Sequence, residues 1–188
     1  KELTYLPFPA LDKAQGEKMR TEILAAKYEA DSVGGVVECG IVGLPAGLGD
    51  PFFDSVESVL SHLLFSVPAV KGVEFGLGFG ITRLRGSQSN DSYCYDGDTV
   101  KTRTNHNGGL LGGITSGMPI VFRAAVKPTS SIGKPQQTVN LETGQEETLV
   151  VKGRHDPCVV QRAVPVLEAA AAIGLCDLLL AAQARRNF

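Results

Sequence analysis

Tryptophan is absent from the 188 residues, histidine occurs three times, and neither sign of charge dominates: 18 Lys and Arg stand against 20 Asp and Glu, a formal net charge of −2. A dedicated nucleic-acid binder carries a basic excess to neutralise phosphates, and this chain has none, although a local basic pocket stays open to it. No apolar run approaches the roughly 18 residues that cross a bilayer, and Lys1-Glu2-Leu3-Thr4 lacks the layout of a signal peptide. These absences predict a soluble, cytoplasmic protein without nucleic-acid or membrane partners. Cys39, Cys94, Cys158 and Cys176 form no CxxC and no Cys/His quartet of zinc spacing, so they read as reduced, buried thiols, and no metal site is expected. An initiator Met is lacking too, which fits a trimmed or partial polypeptide.

What is present is ordinary globular material, 43% hydrophobic with 22 Gly. This length suits one domain, 1–188, or one half of a larger protein, with about 70% of the unfolded surface buried on folding. Met19, Ile23, Ala26 and Ala30 recur at helical spacing and predict a helix from Pro9 to Ala30. Val33 to Leu44 reads as a strand. Asp50-Pro51 has the composition of a helix start, followed by an apolar stripe of Phe52, Val56, Val59, Leu60 and Leu63. Ala69 to Leu84 is glycine-interrupted and strand-like, and Gly86 to Asn107 is a polar, aperiodic stretch expected to be a mobile loop. Ile120, Phe122, Ala124 and Val126 alternate as a half-buried strand does. Thr138–Leu141 and Thr148–Val151 flank Glu142-Thr143-Gly144-Gln145 as a hairpin. Asp156-Pro157 repeats the helix-start composition, with Leu167, Ala170, Ala171, Gly174 and Leu178 behind it and Pro165 expected to kink or divide the helix. The order of elements is α+β with antiparallel sheet and long helices.

Three segments carry candidate chemistry. Asn105 to Gly117 is glycine-rich, leaving peptide N–H groups uncovered, yet it is neither GxGxxG nor a Walker loop and reads equally as a tight turn feeding a strand. Lys127-Pro128-Thr129-Ser130-Ser131 offers an ammonium, three hydroxyls and backbone N–H groups, an inventory suited to an anion, or else a solvated strand end. Arg154-His155-Asp156-Pro157 puts a guanidinium, an imidazole and a carboxylate at a helix start, where Asp156 serves as cap, proton-transfer group or both.

Taken together, GLPAGLGDPFFD (Gly43 to Asp54), VPAVKGVEFG (Val67 to Gly76), RGSQSND (Arg85 to Asp91), NHNGGLLGGITSG (Asn105 to Gly117), KPTSSI (Lys127 to Ile132) and GRHDPCVVQRAVPVLEA (Gly153 to Ala169) resemble the C-terminal half of the chorismate synthase family, from about Leu11 onward. The resemblance implies a portion of a β-α-β sandwich, with helices layered between sheets. It also implies the 1,4-elimination of phosphate from 5-enolpyruvylshikimate 3-phosphate to give chorismate, in the shikimate pathway to aromatic amino acids. Reduced FMN is required there without net redox change, because the flavin transiently lends an electron and later helps remove the hydrogen.

On this resemblance Pro68 and Ala69 match a flavin-contact pair in which Asn often stands at the first position. Gly112 matches a flavin-binding glycine, Lys127, Pro128, Thr129, Ser130 and Ser131 match the flavin-binding KPTSS segment, and Arg154 matches an arginine that reaches the cofactor. Asp156 matches the carboxylate that helps deprotonate the flavin at N5. The family's two catalytic histidines, its NADP-site residues where assigned and most of its substrate-binding arginines belong to an N-terminal half that has no counterpart in this sequence. The chain alone is therefore expected to be inactive, and the alternative is an inactive flavin-binding or assembly module. The family assembles as a homotetramer. Arg83 and Arg85 read as readily as part of a solvated strand as of a nucleic-acid surface.

Overall fold

The computed structural model describes residue 8 and residues 10–186. The chain divides into two compact units, one of residues 1–35 and 126–163, the other of residues 36–125 and 164–188.

In the first unit helix α1 covers Lys13–Tyr28. It starts where Asp12 accepts the Gln15 N–H at 2.9 Å, an N-cap that relieves one of the four unpaired donors of a first turn. The expected start at Pro9 lies outside the described residues. Of the expected stripe Ala26 is buried, whereas Met19 is 53% exposed. Just past the helix Ala30 turns left-handed at φ 55°, and its carbonyl accepts the N–H groups of Gly133 and Lys134. The Lys134 ammonium then reaches Asp31 at 2.8 Å and Glu29 at 3.1 Å. Strands β8 (Gln136–Asn140) and β9 (Gln145–Leu149) form the expected antiparallel hairpin, two residues earlier than the spacing indicated on its first arm. Asn140 sets the turn by accepting the Glu142 and Thr143 N–H groups on its side-chain oxygen.

The second unit is built on a three-stranded sheet in the order β1 (Gly35–Ile41), β7 (Ile120–Val126), β2 (Val70–Phe75). The predicted alternation on β7 is realised: Ile120, Phe122 and Ala124 are wholly buried, each large apolar side chain contributing about 1.5–3 kcal/mol. Helix α2 (Val56–Ser66) buries Val56, Leu60 and Leu64. It does not begin at Asp50-Pro51. Asp50 and Asp54 exchange backbone hydrogen bonds of 2.9 and 3.0 Å, which close a turn with Phe52 and Phe53 exposed, and Ser55 caps the helix instead by accepting the Ser58 N–H.

Helix α4 (Val160–Arg186) packs Leu167, Ala171, Leu175 and Leu178 inward. At Gly174 a Cβ would lie 2.6 Å from the Leu63 methyl, so the missing side chain sets how closely α4 approaches α2. Pro165 sits inside α4 without dividing it. Nor does the helix start at Asp156-Pro157: it opens at Val160, with the Val159 carbonyl accepting the Arg162 and Ala163 N–H groups, while the Asp156 carboxylate accepts the Cys158 N–H and pairs with Arg162. By length and composition α4 could cross a bilayer, contrary to the count of strictly apolar runs; 28% of its apolar window is buried, along the stripe of Leu167, Ala171, Leu175 and Leu178.

The segment 86–107 is not an irregular loop. It contains helix α3 (Gly86–Ser89) and an antiparallel hairpin of β3 (Tyr93–Asp96) with β4 (Thr99–Thr102), turning at Gly97 with φ 61°. The strand expected over 69–84 ends at Phe75, where Gly76 turns to φ 56°, and a 3-10 turn covers Gly78–Arg83. A second tight hairpin joins β5 (Leu110–Leu111) to β6 (Ile114–Thr115). The thiols are free but not buried as expected: three are half-buried and Cys176 is exposed. Burial, with a smaller contribution from the Glu168 charge, pushes the Cys39 thiol above its ordinary pKa.

Candidate functional site

In the first unit the chain leaves β7 as Lys127–Ile132. Its entry is tight: a Cβ at Gly34 would lie 2.3 Å from the Val126 carbonyl oxygen. Ser32 Oγ donates to the Thr129 carbonyl at 2.6 Å, and the Val33 N–H donates to the Pro157 carbonyl at 2.9 Å. His155 bridges the same neighbourhood. Its Nε2 lies 2.9 Å from the Val151 carbonyl and donates there, and its Nδ1 shares a hydrogen bond of 3.3 Å with Ser131 Oγ. Thus the two segments singled out in the sequence, Lys127–Ser131 and Arg154–Pro157, are tied together through Ser131 and His155.

The chemistry of this region is cationic and under-satisfied. Lys127, Ser130, Ser131 and Arg154 are exposed. Among the described residues neither Lys127 nor Arg154 makes an ion pair. Thr129 Oγ1 is buried without a partner, an uncommon state for a hydroxyl. Two exposed, uncommitted cations and the exposed Ser130 and Ser131 hydroxyls suit an anionic group such as a phosphate. Asp156 is one-third exposed, with Oδ1 accepting the Cys158 N–H at 3.1 Å and Oδ2 paired with Arg162.

In the second unit Pro68 and Ala69 are the corners of the turn between α2 and β2, closed by the Val70 N–H on the Val67 carbonyl at 3.3 Å. Proline favours the first corner of a type II turn, and the second requires positive φ; Ala69 has φ 73°. A non-glycine residue held there is strained by about 1–2 kcal/mol. Gly112 and Gly113 form the β5–β6 turn at φ 60° and 86°, the pairing of two positive values that a two-residue hairpin favours. They differ in surroundings: a Cβ on Gly113 would meet Ser55 Cβ at 2.9 Å, whereas one on Gly112 would meet nothing within 4 Å. Gly112 is exposed.

The approach to this turn depends on residues that sequence reasoning did not single out. Asp91 is 9% exposed and accepts four hydrogen bonds: from Thr104 Oγ1 and the His106 N–H, both at 2.7 Å, and from the Asn107 N–H and Nδ2 at 2.9 and 2.8 Å. Burial pushes its carboxyl pKa up, but these donors, the Asn107 N–H foremost, outweigh burial and hold it below the ordinary carboxylate value. Thr115, 1% exposed, donates to the Pro45 carbonyl at 2.7 Å and accepts the Leu48 N–H at 2.9 Å, which pins the glycine-rich 43–49 segment to β6. Arg123 pairs with Glu74 at 2.9 Å while Glu74 accepts the Phe79 N–H, fixing the turn after β2. Asp91, Thr115 and Glu74 fall inside quoted motifs, Arg85 to Asp91, Asn105 to Gly117 and Val67 to Gly76, but nothing local marked their partners; Thr104 and Arg123 lie outside every motif. A cleft of about 620 Å³ between α2 and α4, lined in part by His62, Leu63, Ile173 and Asp177, contains none of the predicted site residues.

Comparison with known proteins agrees with the motifs. The chorismate synthase family model matches residues 2–180. The chorismate synthase of Chitinophaga pinensis is 55% identical over 159 residues, 85% of this chain and 47% of the relative. That of Synechocystis sp. is 52% identical over 175 residues, 93% of this chain and 48% of the relative. A crystal structure of chorismate synthase superposes with a TM-score of 0.71 at 33% identity, covering 89% of this chain and 43% of that one. The chain belongs to the chorismate synthase family, and its α+β fold is that family's. It spans about half the length of the curated relatives it matches.

Proposed function

We propose that this chain is the C-terminal portion of an FMN-dependent chorismate synthase, a carbon–oxygen lyase that converts 5-enolpyruvylshikimate 3-phosphate to chorismate and phosphate in cytoplasmic aromatic amino-acid biosynthesis. Reduced flavin, when bound, supplies a transient electron to an elimination with no net redox change. Lys127 and Arg154 are the cations that would neutralise its anionic group, with Thr129, Ser130 and Ser131 as hydroxyl donors and Pro128 as a rigid spacer among them. Pro68, Ala69 and Gly112 are the second unit's candidate contacts. For Pro68 in place of the family's frequent Asn, a backbone contact survives and a side-chain amide contact does not.

Asp156 is the candidate proton acceptor. Its Oδ1 accepts a backbone N–H and its Oδ2 pairs with Arg162, and each oxygen keeps a second lone pair on which a proton can land. By itself the chain is proposed to be inactive, the family's histidines lying in its other half.

The observation that carries this reading is that Lys127 and Arg154, both exposed and without an ion pair among the described residues, lie on two segments joined through Ser131 and His155. Titration of the chain with FMN, followed by quenching of flavin fluorescence, tests it: Lys127→Ala and Arg154→Ala should each weaken binding about tenfold, the loss of one charged hydrogen bond. Affinity unchanged from the unsubstituted chain in both variants would count against it. In a full-length family enzyme Asp156→Asn should slow turnover sharply while sparing flavin affinity. A second reading, an assembly module within a homotetramer, is favoured by the exposed Val166, Ile173 and Leu180, which recur every seven residues along α4.

A further inference from the structure

We propose that Asp91 is a positioning residue for the β5–β6 turn: its carboxylate holds Thr104 to Asn107 in the conformation from which Gly112 is presented to the cofactor. The second half of that statement rests on the flavin reading above; the first does not.

A carboxylate has about four lone-pair sites, and Asp91 fills four with donors from a single stretch of four residues. No described ion pair includes it, so neutral donors alone compensate its burial. The stretch it gathers is fixed from the other side as well. His106, whose N–H is given to Asp91, offers its carbonyl to the Leu77 N–H at 2.8 Å.

The next residue after Asn107 has no room to adjust. A Cβ on Gly108 would lie 2.4 Å from the Gly76 nitrogen, and one on Gly76 would lie 2.1 Å from the His106 carbonyl oxygen. From there the ladder runs without slack: the Val121 N–H donates to Gly108, the Ser116 N–H to Gly109, and Leu110 pairs with Thr115 across the hairpin. Glycine pairs at 108–109 and 112–113 give this segment little conformational preference of its own. Its geometry is imposed by the anchor at one end, by Thr115 at the other, and by the Val56 N–H on the Gly113 carbonyl at 3.0 Å. Gly112, open on its outer side, lies at the tip between them.

Substituting Asp91→Asn keeps the volume but turns one acceptor into an N–H₂ group aimed at existing donors. Thr104→Val removes a single donor at an exposed position and serves where Asp91→Asn folds poorly. Amide hydrogen exchange on the intact chain should show protection across Leu110–Thr115 falling about tenfold or more in Asp91→Asn, and less in Thr104→Val, while α2 keeps its protection. FMN titration of the same samples should show affinity falling in the same order.

Unchanged protection over Leu110–Thr115 in both variants overturns the proposal, whatever flavin does. Lost protection with undiminished FMN affinity overturns the link to the cofactor. If the unsubstituted chain binds no FMN, the flavin reading fails by itself, and the exchange result still decides whether Asp91 anchors the turn.

Discussion

Single residues in this protein are held in states they would not choose alone. Ala69 occupies left-handed backbone at the corner between α2 and β2, at a cost of about 1–2 kcal/mol. Ala69→Gly should therefore raise the free energy of unfolding by about 1 kcal/mol in urea titration; a lower value would mean that the methyl group makes a compensating contact. Asp91 is held ionised by four donors against its own burial. Because its folded pKa is depressed, its contribution is fully present above the unfolded carboxylate value near about 3.9 and is lost as pH falls through the lower folded value. Acid titration of the chain should show a loss of stability below about pH 4 that Asp91→Asn flattens. If the two curves stay parallel, the network does not depend on the charge.

At the scale of elements, packing corrected what local composition suggested. Two Asp-Pro pairs have the grammar of a helix start, but a cap works only if its carboxylate is free for the first-turn N–H groups. The Asp50 carboxylate pairs with Arg185 at 2.5 Å while its backbone is bridged to Asp54, and the Asp156 carboxylate is shared between the Cys158 N–H and Arg162. Each helix consequently starts several residues later, α2 on a serine cap. Gly174 reads as one of several small residues on α4, yet it marks where Leu60 and Leu63 of α2 come closest. Gly174→Val should destabilise by about 1–3 kcal/mol through overpacking, despite glycine's poor helix propensity. Chemical denaturation gives the number, and a stabilised variant would show that the Leu63 side chain rotates aside without cost.

For the whole molecule, the open questions concern assembly. The cleft along α2 and α4 and the exposed Val166, Ile173 and Leu180 leave apolar surface uncovered in the second unit. Sedimentation equilibrium should find the chain in species larger than a monomer at high concentration if the assembly reading holds. A strict monomer throughout would leave the cofactor-binding reading as the one to pursue.

The sequence by itself determined those elements whose pattern is local. The alternation of Ile120, Phe122 and Ala124 needs no more than a two-residue period to be read as β7, and the β8–β9 turn is written in Gly144 and its neighbours. The order of the six motifs likewise sufficed for the family, since long matched segments carry more information than any one spacing. Tertiary structure alone decided the rest. Gly86 to Asn107 lacks periodicity because its order comes from a short, mostly exposed β3–β4 hairpin and from hydrogen bonds to Asp91, from residues 13 to 16 positions away, and no hydrophobic pattern records such bonds. The same holds for Gly76, where β2 ends as the backbone turns to φ 56° and a distant backbone leaves no room for a side chain. Contacts distant in sequence leave little local signal, and at these positions they outweigh propensity.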